Sequence, residues 1–137
     1  MLRGLTTVSF YAGDVAAAAD WYAGFLGVRP YFRRPVEGPP VYVEFRIGEH
    51  EHELGIVDAR FAPHAGAGDA AGAGGAVVYW HVEDVPAAVD RALGLGASLY
   101  EGVTERGPGF VTACVRDPFG NLLGVMFNEH YVQMSAR

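Results

Sequence analysis

Hydrophobic and polar residues alternate along residues 6–11, which predicts a strand with one buried face. The alternation ends at Asp14, and aspartate favours the position just before a helix because its side chain can accept a hydrogen bond from the first turn. The alanine-rich stretch from Ala16 to Leu26 predicts that helix. Gly27 follows it and is suited to a left-handed helix end.

Three short strands are predicted after this helix, over residues 28–32, 41–47 and 53–57. Residues 37–40 are expected to form a turn, and residues 48–51 the hairpin turn between the last two strands. The first part of the chain therefore has the order strand, helix, strand, strand, strand.

The same order returns 70 residues later. The segment Asp14-Val15-Ala16-Ala17-Ala18-Ala19-Asp20 corresponds to Asp84-Val85-Pro86-Ala87-Ala88-Val89-Asp90. The second copy predicts a helix over 85–95 and strands over 76–82, 97–101, 109–116 and 122–128. A repeated supersecondary unit implies a pseudo-twofold molecule, with any site expected where the two copies meet.

The repeat predicts one domain spanning residues 1–137, built from two tandem βαβββ modules of the α+β class. Module 1 covers about 4–59 and module 2 about 76–130. The stretch 60–75 between them is rich in alanine and glycine and has no periodicity, which favours a connector. Asp117-Pro118-Phe119-Gly120-Asn121 has the residues of a type I turn and is interpreted as a structural hairpin.

Composition narrows the possible partners. The 137 residues carry a formal charge of −6 and include no lysine, so the basic surface that nucleic acid requires is absent. No apolar run approaches the roughly 20 residues of a membrane span, and no partner membrane is expected. The start of the chain lacks the apolar core of a secretory signal, and a single cysteine, Cys114, suits a reducing cytoplasm.

Two of these motifs also carry a family resemblance. The segment from Asp14 to Gly27, with the paired aromatics Trp21 and Tyr22, resembles the opening pattern of the vicinal oxygen chelate superfamily, and Asp117-Pro118-Phe119-Gly120-Asn121 is similar to its C-terminal signature. This superfamily includes glyoxalase I, bleomycin-resistance proteins, fosfomycin-resistance enzymes and extradiol dioxygenases. The resemblance implies curled mixed sheets that enclose a cavity, and a homodimer.

Enzymes of the superfamily hold a divalent metal with His, Glu or Gln from the first and last strands of each module. The resemblance places those ligand positions at Thr7, Gly55, Val77 and Gly124. Glycine and valine have no donor atoms, and one threonine hydroxyl cannot replace several imidazoles or carboxylates. We therefore expect no metal and no cofactor.

Side chains alternate across a strand, so residues of the same parity as these positions should face the same cavity. The predicted ligand-binding residues are Thr7, Ser9, Tyr11, Gly55, Val57, Val77, Tyr79, His81, Gly124, Met126 and Asn128. They describe a mostly apolar, aromatic surface with a few polar groups, which is typical of sites for organic ligands. The glycines are expected to leave space, and the two tyrosines to stack on the ligand.

The leading hypothesis is a metal-independent protein that binds a small organic ligand, similar to bleomycin-resistance proteins, and sequesters an antibiotic or metabolite. An alternative is a lyase, isomerase or dioxygenase. Such an enzyme would use displaced metal ligands such as His81, Glu53 or His52, or His81 as a catalytic acid–base group. A module that only mediates interactions is a third reading. His50 and His52 are assigned to a solvated hairpin turn.

Overall fold

The structure, a computed structural model, describes residues 1, 3, 5–62 and 77–136. The secondary structure in chain order comprises β1 (Thr7–Ala12), α1 (Val15–Leu26), β2 (Phe32–Arg34), β3 (Tyr42–Ile47), β4 (His52–Asp58), a 3-10 turn (Ala59–Phe61), β5 (Tyr79–His81), α2 (Val85–Gly94), β6 (Ser98–Gly107), β7 (Phe110–Arg116), β8 (Leu122–Asn128) and α3 (Glu129–Ser135). The chain divides into two compact units. The first is Met1–Ala73 with Phe119–Asn121, and the second is Gly74–Pro118 with Leu122–Arg137.

Each unit contains one four-stranded sheet of the same topology. The strand order is β1-β4-β3-β2 in the first unit and β5-β8-β7-β6 in the second. In each sheet the first strand pairs in parallel with the last, and the remaining pairs are antiparallel. The predicted α+β fold with two tandem βαβββ modules is therefore confirmed.

The sheets differ from the prediction in their curvature. Each sheet is open and is neither closed nor strongly curled, so the predicted curl around a cavity is not seen in either unit. A sheet of four strands twists, but closure into a barrel needs more strands and a matching stagger.

The two repeated aspartates begin the two repeated helices, as predicted. Asp14 accepts a hydrogen bond of 3.0 Å from the N–H of Ala17, and Asp84 accepts one of 2.9 Å from the N–H of Ala87. At the other end of α1, Gly27 has the left-handed conformation expected of it, with φ +73°.

One face of each sheet is covered by its helix, and this side forms the core. In the first unit α1 packs Tyr22 against Phe10, with ring centroids 5.8 Å apart, and Phe45 and Ile56 lie fully buried in the sheet. In the second unit the buried residues of α2 include Val85 and Val89. A fully buried side chain of this kind contributes about 1.5–3 kcal/mol, so helix–sheet packing provides much of the stability of each unit.

Several strand limits differ from the predicted ones. The strand predicted over 28–32 is β2, at Phe32–Arg34, because Pro30 lacks an N–H and the backbone first bonds β3 through the Tyr31 N–H, 3.1 Å from the Glu44 oxygen. The strand predicted over 76–82 is β5, which begins at Tyr79. The strand predicted over 97–101 is β6, which continues to Gly107 through register shifts.

Helix α3 was not predicted. Its start is set by Asn128, whose side chain accepts a hydrogen bond of 3.0 Å from the N–H of His130. Most of the connector predicted over 60–75 lies outside the described residues. No helix among the described residues is long and apolar enough to cross a bilayer.

Candidate functional site

The face of the first sheet opposite α1 carries most of the polar and aromatic side chains of its four strands. Strand alternation and the pairing register place alternate residues of all four strands on it. We call this surface the first open face. It comprises Thr7, Ser9, Tyr11, Phe32, Arg34, Tyr42, Glu44, Arg46, Glu53, Gly55 and Val57.

The positions that the family resemblance assigns to metal ligands do not offer a chelating site. A Cβ atom at Gly55 would lie 2.8 Å from the hydroxyl oxygen of Tyr42 and 2.9 Å from its ring. A Cβ atom at Gly124 would lie 2.7 Å from the ring of Tyr79 and 2.7 Å from the carbonyl oxygen of Val78. A ligating side chain at either position would therefore clash with atoms already there.

These contacts correct the expectation that the glycines leave empty space. Each glycine instead accommodates a tyrosine ring, Tyr42 over Gly55 and Tyr79 over Gly124. Packing of an aromatic ring on a glycine covers backbone that would otherwise be exposed on the sheet. The result is an aromatic surface at both positions.

Thr7 is also engaged in the first unit. Its hydroxyl donates a 2.9 Å hydrogen bond to Glu53, which lies opposite it in the β1–β4 register. Glu53 in turn lies 3.5 Å from the guanidinium of Arg46, which also contacts Glu51 at 3.3 Å. The charge of Glu53 is thus compensated within the sheet.

Tyr42 and Glu44 form a second polar pair on the same face. The Tyr42 hydroxyl donates a hydrogen bond to Glu44 Oε1. Burial, and then the nearby carboxylate of Glu53, raise the pKa of the Tyr42 hydroxyl, so it remains a donor at neutral pH. Burial and the same carboxylate raise the pKa of Glu44, while Arg46 opposes the shift.

Aromatic rings extend this face to its β2 edge. Phe32 meets Tyr42 edge-on, with ring centroids 6.1 Å apart, and the guanidinium of Arg34 lies 4.1 Å from the Phe32 ring. Arg46 lies 4.6 Å from the ring of Tyr31. Flat rings with a few directed polar groups are suited to holding a planar organic molecule.

Tyr11 lies at the opposite edge of the first open face. Its backbone N–H donates a 3.0 Å hydrogen bond to Asn121 Oδ1, and its carbonyl accepts a 2.9 Å hydrogen bond from Asn121 Nδ2. Asn121 belongs to the first unit together with Phe119 and Gly120. The side-chain amide of Asn121 therefore bonds both the N–H and the C=O of Tyr11 in the edge strand β1.

The second sheet has a corresponding surface, the second open face, whose residues are Tyr79, His81, Glu101, Thr104, Phe110, Thr112, Cys114, Gly124, Met126 and Asn128. Arg106 crosses it, 3.1 Å from the Thr112 hydroxyl and 2.5 Å from Glu101. Burial, followed by Glu101 and Cys114, raises the pKa of Tyr79, and Arg106 opposes this shift.

His81 is placed beside a helix that the sequence did not predict. Its ring centroid lies 5.0 Å from that of Tyr131 on α3 and 6.0 Å from that of Phe127. Asn128, expected to contact a ligand, has its side-chain oxygen bound to the first turn of α3. The catalytic role of His81 stays a prediction.

The two hairpin histidines lie apart from both open faces, whereas Cys114 belongs to the second open face. His50 and His52 are at the β3–β4 hairpin, with ring centroids 6.0 Å apart, and His50 lies 3.6 Å from Glu49. Cys114 is buried, and burial followed by Glu101 raises the pKa of its thiol. Across residues 5–62 and 77–136, no three His, Cys, Asp or Glu side chains are grouped to hold a metal ion.

The eleven predicted ligand-binding residues divide between the units. Thr7, Ser9, Tyr11, Gly55 and Val57 share the first open face, and Tyr79, His81, Gly124, Met126 and Asn128 share the second. Val77 lies just before β5. Sequence reasoning missed Phe32 and Tyr42, and it assigned Glu44 and Arg46 to no face of the sheet. The alternation Tyr42-Val43-Glu44-Phe45-Arg46 is the signal that could have placed the three residues of β3.

A separate groove of about 280 Å³ lies on the helix side of the first sheet. It is lined by Ala16, Ala19, Asp20, Pro30, Tyr31, Phe32, Arg33, Pro40 and Val43. None of the eleven predicted residues contributes to it. Its small volume is near the lower end of the range for organic-ligand pockets.

Comparison with solved structures shows the same fold across nearly the whole chain. TioX from Micromonospora sp. ML1 is 20% identical, with 92% of this chain and 99% of that one covered and a TM-score of 0.68. A glyoxalase-related enzyme from Fulvimarina pelagi is 20% identical, with 93% and 89% covered and a TM-score of 0.71. A lactoylglutathione lyase from Agrobacterium tumefaciens is 21% identical, with 91% and 93% covered and a TM-score of 0.64.

At these identities the structural likeness establishes the fold alone. No curated protein shows significant sequence similarity to this chain. Residues 4–125, however, match the sequence pattern of one family, and this match covers module 1 and all but the last few residues of module 2. The chain therefore belongs to the Glyoxalase/Bleomycin resistance protein/Dioxygenase superfamily.

Proposed function

We propose that this chain is a metal-independent protein that binds a small aromatic molecule, such as an antibiotic or another metabolite, on the first open face. The observation that carries the proposal is the tyrosine ring that fills the Cβ space of Gly55. Where an enzyme of the superfamily would place a metal ligand, this chain places a flat apolar ring.

The donor chemistry supports the same proposal. The four positions assigned to ligands hold Thr7, Gly55, Val77 and Gly124, and the threonine hydroxyl is already bonded to Glu53. A divalent cation requires several imidazole or carboxylate donors directed at one point. The residues present do not fit such an ion.

The rest of the first open face supplies what a planar ligand needs. Phe32 and Tyr42 present rings at an angle to each other, which leaves a ring face for stacking. Glu44 has an ionisable carboxylate with one oxygen bonded to Tyr42, so its other oxygen can accept a hydrogen bond from a ligand hydroxyl or N–H group. Binding without bond cleavage is sufficient for a sequestering role.

An NMR titration tests the proposal. Uniformly ¹⁵N-labelled protein is titrated with 2-naphthol and with indole, which are planar and carry one hydrogen-bond donor. We expect the largest shift changes at Tyr11, Tyr42, Glu44 and Gly55. Because a ligand at 100 times its Kd stabilises the folded state by about 2.7 kcal/mol, the same probes should raise the Tm.

Two tyrosine variants test whether the probes bind on the first open face. Tyr42→Ala should weaken probe binding at least tenfold, whereas Tyr100→Ala, which removes an exposed tyrosine of the second unit, should leave it unchanged. Shift changes confined to other parts of the chain would contradict the proposal. Turnover of a substrate that is lost in His81→Ala, with probe binding intact, would favour the alternative of an acid–base enzyme.

Homodimerisation, which the family resemblance implies, and a cytoplasmic location, which the single cysteine favours, are part of the same proposal. Size-exclusion chromatography with light scattering would test the dimer.

A further inference from the structure

Asn121 holds the edge of the first sheet at one residue of the proposed binding surface. Its side-chain amide bonds both the N–H and the C=O of Tyr11, at 3.0 and 2.9 Å. The two residues are 110 positions apart in the chain, so this contact is tertiary and does not arise from local turn geometry.

The position of β1 explains why such a contact is needed. Among the described strands, β1 pairs with β4 alone, in parallel register with Tyr11 opposite Val57, and so forms an edge of its sheet. Edge strands have backbone groups that point away from the sheet and lack a partner strand. Because both polar groups of Tyr11 bond Asn121, they point to this free edge, and the amide takes the place of a neighbouring strand.

The contact also lies where the chain changes direction. Tyr11 and Ala12 end β1, and Asp14, which caps α1, follows Ala12 by two residues. Fixing the backbone at Tyr11 therefore sets the direction of its Cα–Cβ bond, and with it the location of the tyrosine side chain on the first open face.

We propose that Asn121 is a positioning residue for ligand binding, which acts by holding the backbone of Tyr11 so that its side chain is preorganised on the first open face. This inference rests on the proposed function. It assigns a binding role to a turn motif, Asp117-Pro118-Phe119-Gly120-Asn121, that sequence analysis interpreted as structural alone.

The test measures two properties of Asn121→Ala, with 2-naphthol as the probe. Hydrogen exchange followed by NMR should be at least tenfold faster at the Tyr11 amide than in the wild type, because its acceptor is lost. The Kd for 2-naphthol should rise at least fivefold. Asp84→Ala removes a helix cap in the second unit and is the control for destabilisation; its Kd should equal that of the wild type.

A double-mutant cycle separates positioning from a general structural role. If Asn121 acts through Tyr11, then adding Asn121→Ala to Tyr11→Ala should change the Kd by less than twofold. An unchanged fivefold effect in the Tyr11→Ala background would overturn the inference. So would a wild-type Kd in Asn121→Ala with fast exchange at Tyr11.

Asn121→Asp covers the case in which the alanine variant does not fold. The carboxylate keeps an acceptor for the Tyr11 N–H but has no donor for the Tyr11 carbonyl. Exchange at Tyr11 should stay slow while the Kd rises, and a wild-type Kd would overturn the inference. Failure of the wild type to bind 2-naphthol would overturn the proposed function, whereas wild-type exchange at Tyr11 in Asn121→Ala would overturn the positioning role alone.

Discussion

Gly55 in β4 and Gly124 in β8 lie in equivalent strands, but an added side chain would meet different atoms at the two positions. At Gly55 the atoms nearest an added Cβ belong to the Tyr42 side chain, at 2.8 to 3.2 Å. At Gly124 they include the backbone oxygen of Val78, at 2.7 Å, as well as the ring of Tyr79. A side chain can rotate away from a new methyl group, but a paired backbone cannot without loss of hydrogen bonds.

We therefore predict that Gly124→Ala is more destabilising than Gly55→Ala. Overpacking in a buried site costs about 1–3 kcal/mol, and Gly124→Ala should lie at the upper end of that range. Urea unfolding of the two variants measures the difference. Gly24→Ala is the control, because an added Cβ there meets no described atom within 4 Å beyond its chain neighbours and its own helix backbone, and alanine favours the helix. Equal losses at Gly55 and Gly124 would contradict this explanation.

Glu44 makes the stability depend on pH in a defined direction. Its pKa is raised on folding by burial and by Glu53, so the folded state disfavours the ionised carboxylate. The stabilisation from the neutral carboxyl is present at acidic pH. It is lost as the pH rises through the raised pKa.

Glu44→Gln mimics the neutral form and should reveal this dependence. The variant should be more stable than the wild type at pH 7. This advantage should shrink as the pH falls through the raised pKa of Glu44, and it should be lost once the pH is below the ordinary glutamate pKa. Glutamine can still accept the Tyr42 hydrogen bond, so the pair geometry is kept. The comparison is made by urea unfolding at several pH values, with Glu37→Gln as the control for removing a charge. A constant difference across pH would show that the charge of Glu44 is not the cause.

At the scale of elements, the repeat predicted the two helices well because their signals are local. Asp14 and Asp84 cap the helices that follow, and each side chain bonds the N–H three residues later. Neither interaction depends on the rest of the fold. A local signal of this kind can be recognised from the sequence alone.

The two caps give a matched pair of predictions. Asp14→Ala and Asp84→Ala should each lower the free energy of unfolding by about 1 kcal/mol, because one backbone N–H per helix loses its partner. Asp14→Asn and Asp84→Asn keep an acceptor oxygen and should recover most of the loss. Urea unfolding followed by circular dichroism measures the free energy of unfolding of all four variants. If the asparagine variants lose as much free energy of unfolding as the alanine variants, the stabilisation comes from the charge of the aspartate.

Elements whose limits depend on tertiary contacts were predicted less well. β6 runs to Gly107 because β7 pairs with it through register shifts, and no local pattern marks that length. The start of α3 depends on Asn128, which sequence analysis assigned to ligand contact. The rings of Tyr42 and Tyr79 cover glycines on paired strands, and such contacts require the register, which the sequence leaves open.

For the whole molecule, membership of the family does not determine the chemistry. The match over residues 4–125 and the likeness to solved structures establish the fold, but the same fold carries different chemistries. The residues at the four positions that the family resemblance assigns to metal ligands have to distinguish between these chemistries. In this chain those positions hold two glycines, a valine and a threonine that is bonded to Glu53.

Metal removal tests whether the stability and the probe binding of the whole protein are independent of metal. Dialysis against EDTA should leave both the Tm and probe binding unchanged, since a structural or ligand-bridging metal would stabilise the folded state. Addition of Zn²⁺, Ni²⁺ or Mn²⁺ should give no stoichiometric binding by calorimetry. One equivalent of tightly bound metal, or a large fall in Tm on chelation, would refute metal independence.

The burial of Cys114 in β7 has a practical consequence. The side chain is 2% exposed, and its raised thiol pKa leaves little reactive thiolate at neutral pH. The sequence contains no other cysteine, so an adduct with a thiol reagent can form only at this position. Under native conditions the labelling rate then measures how often the second sheet opens, while the first sheet gives no signal.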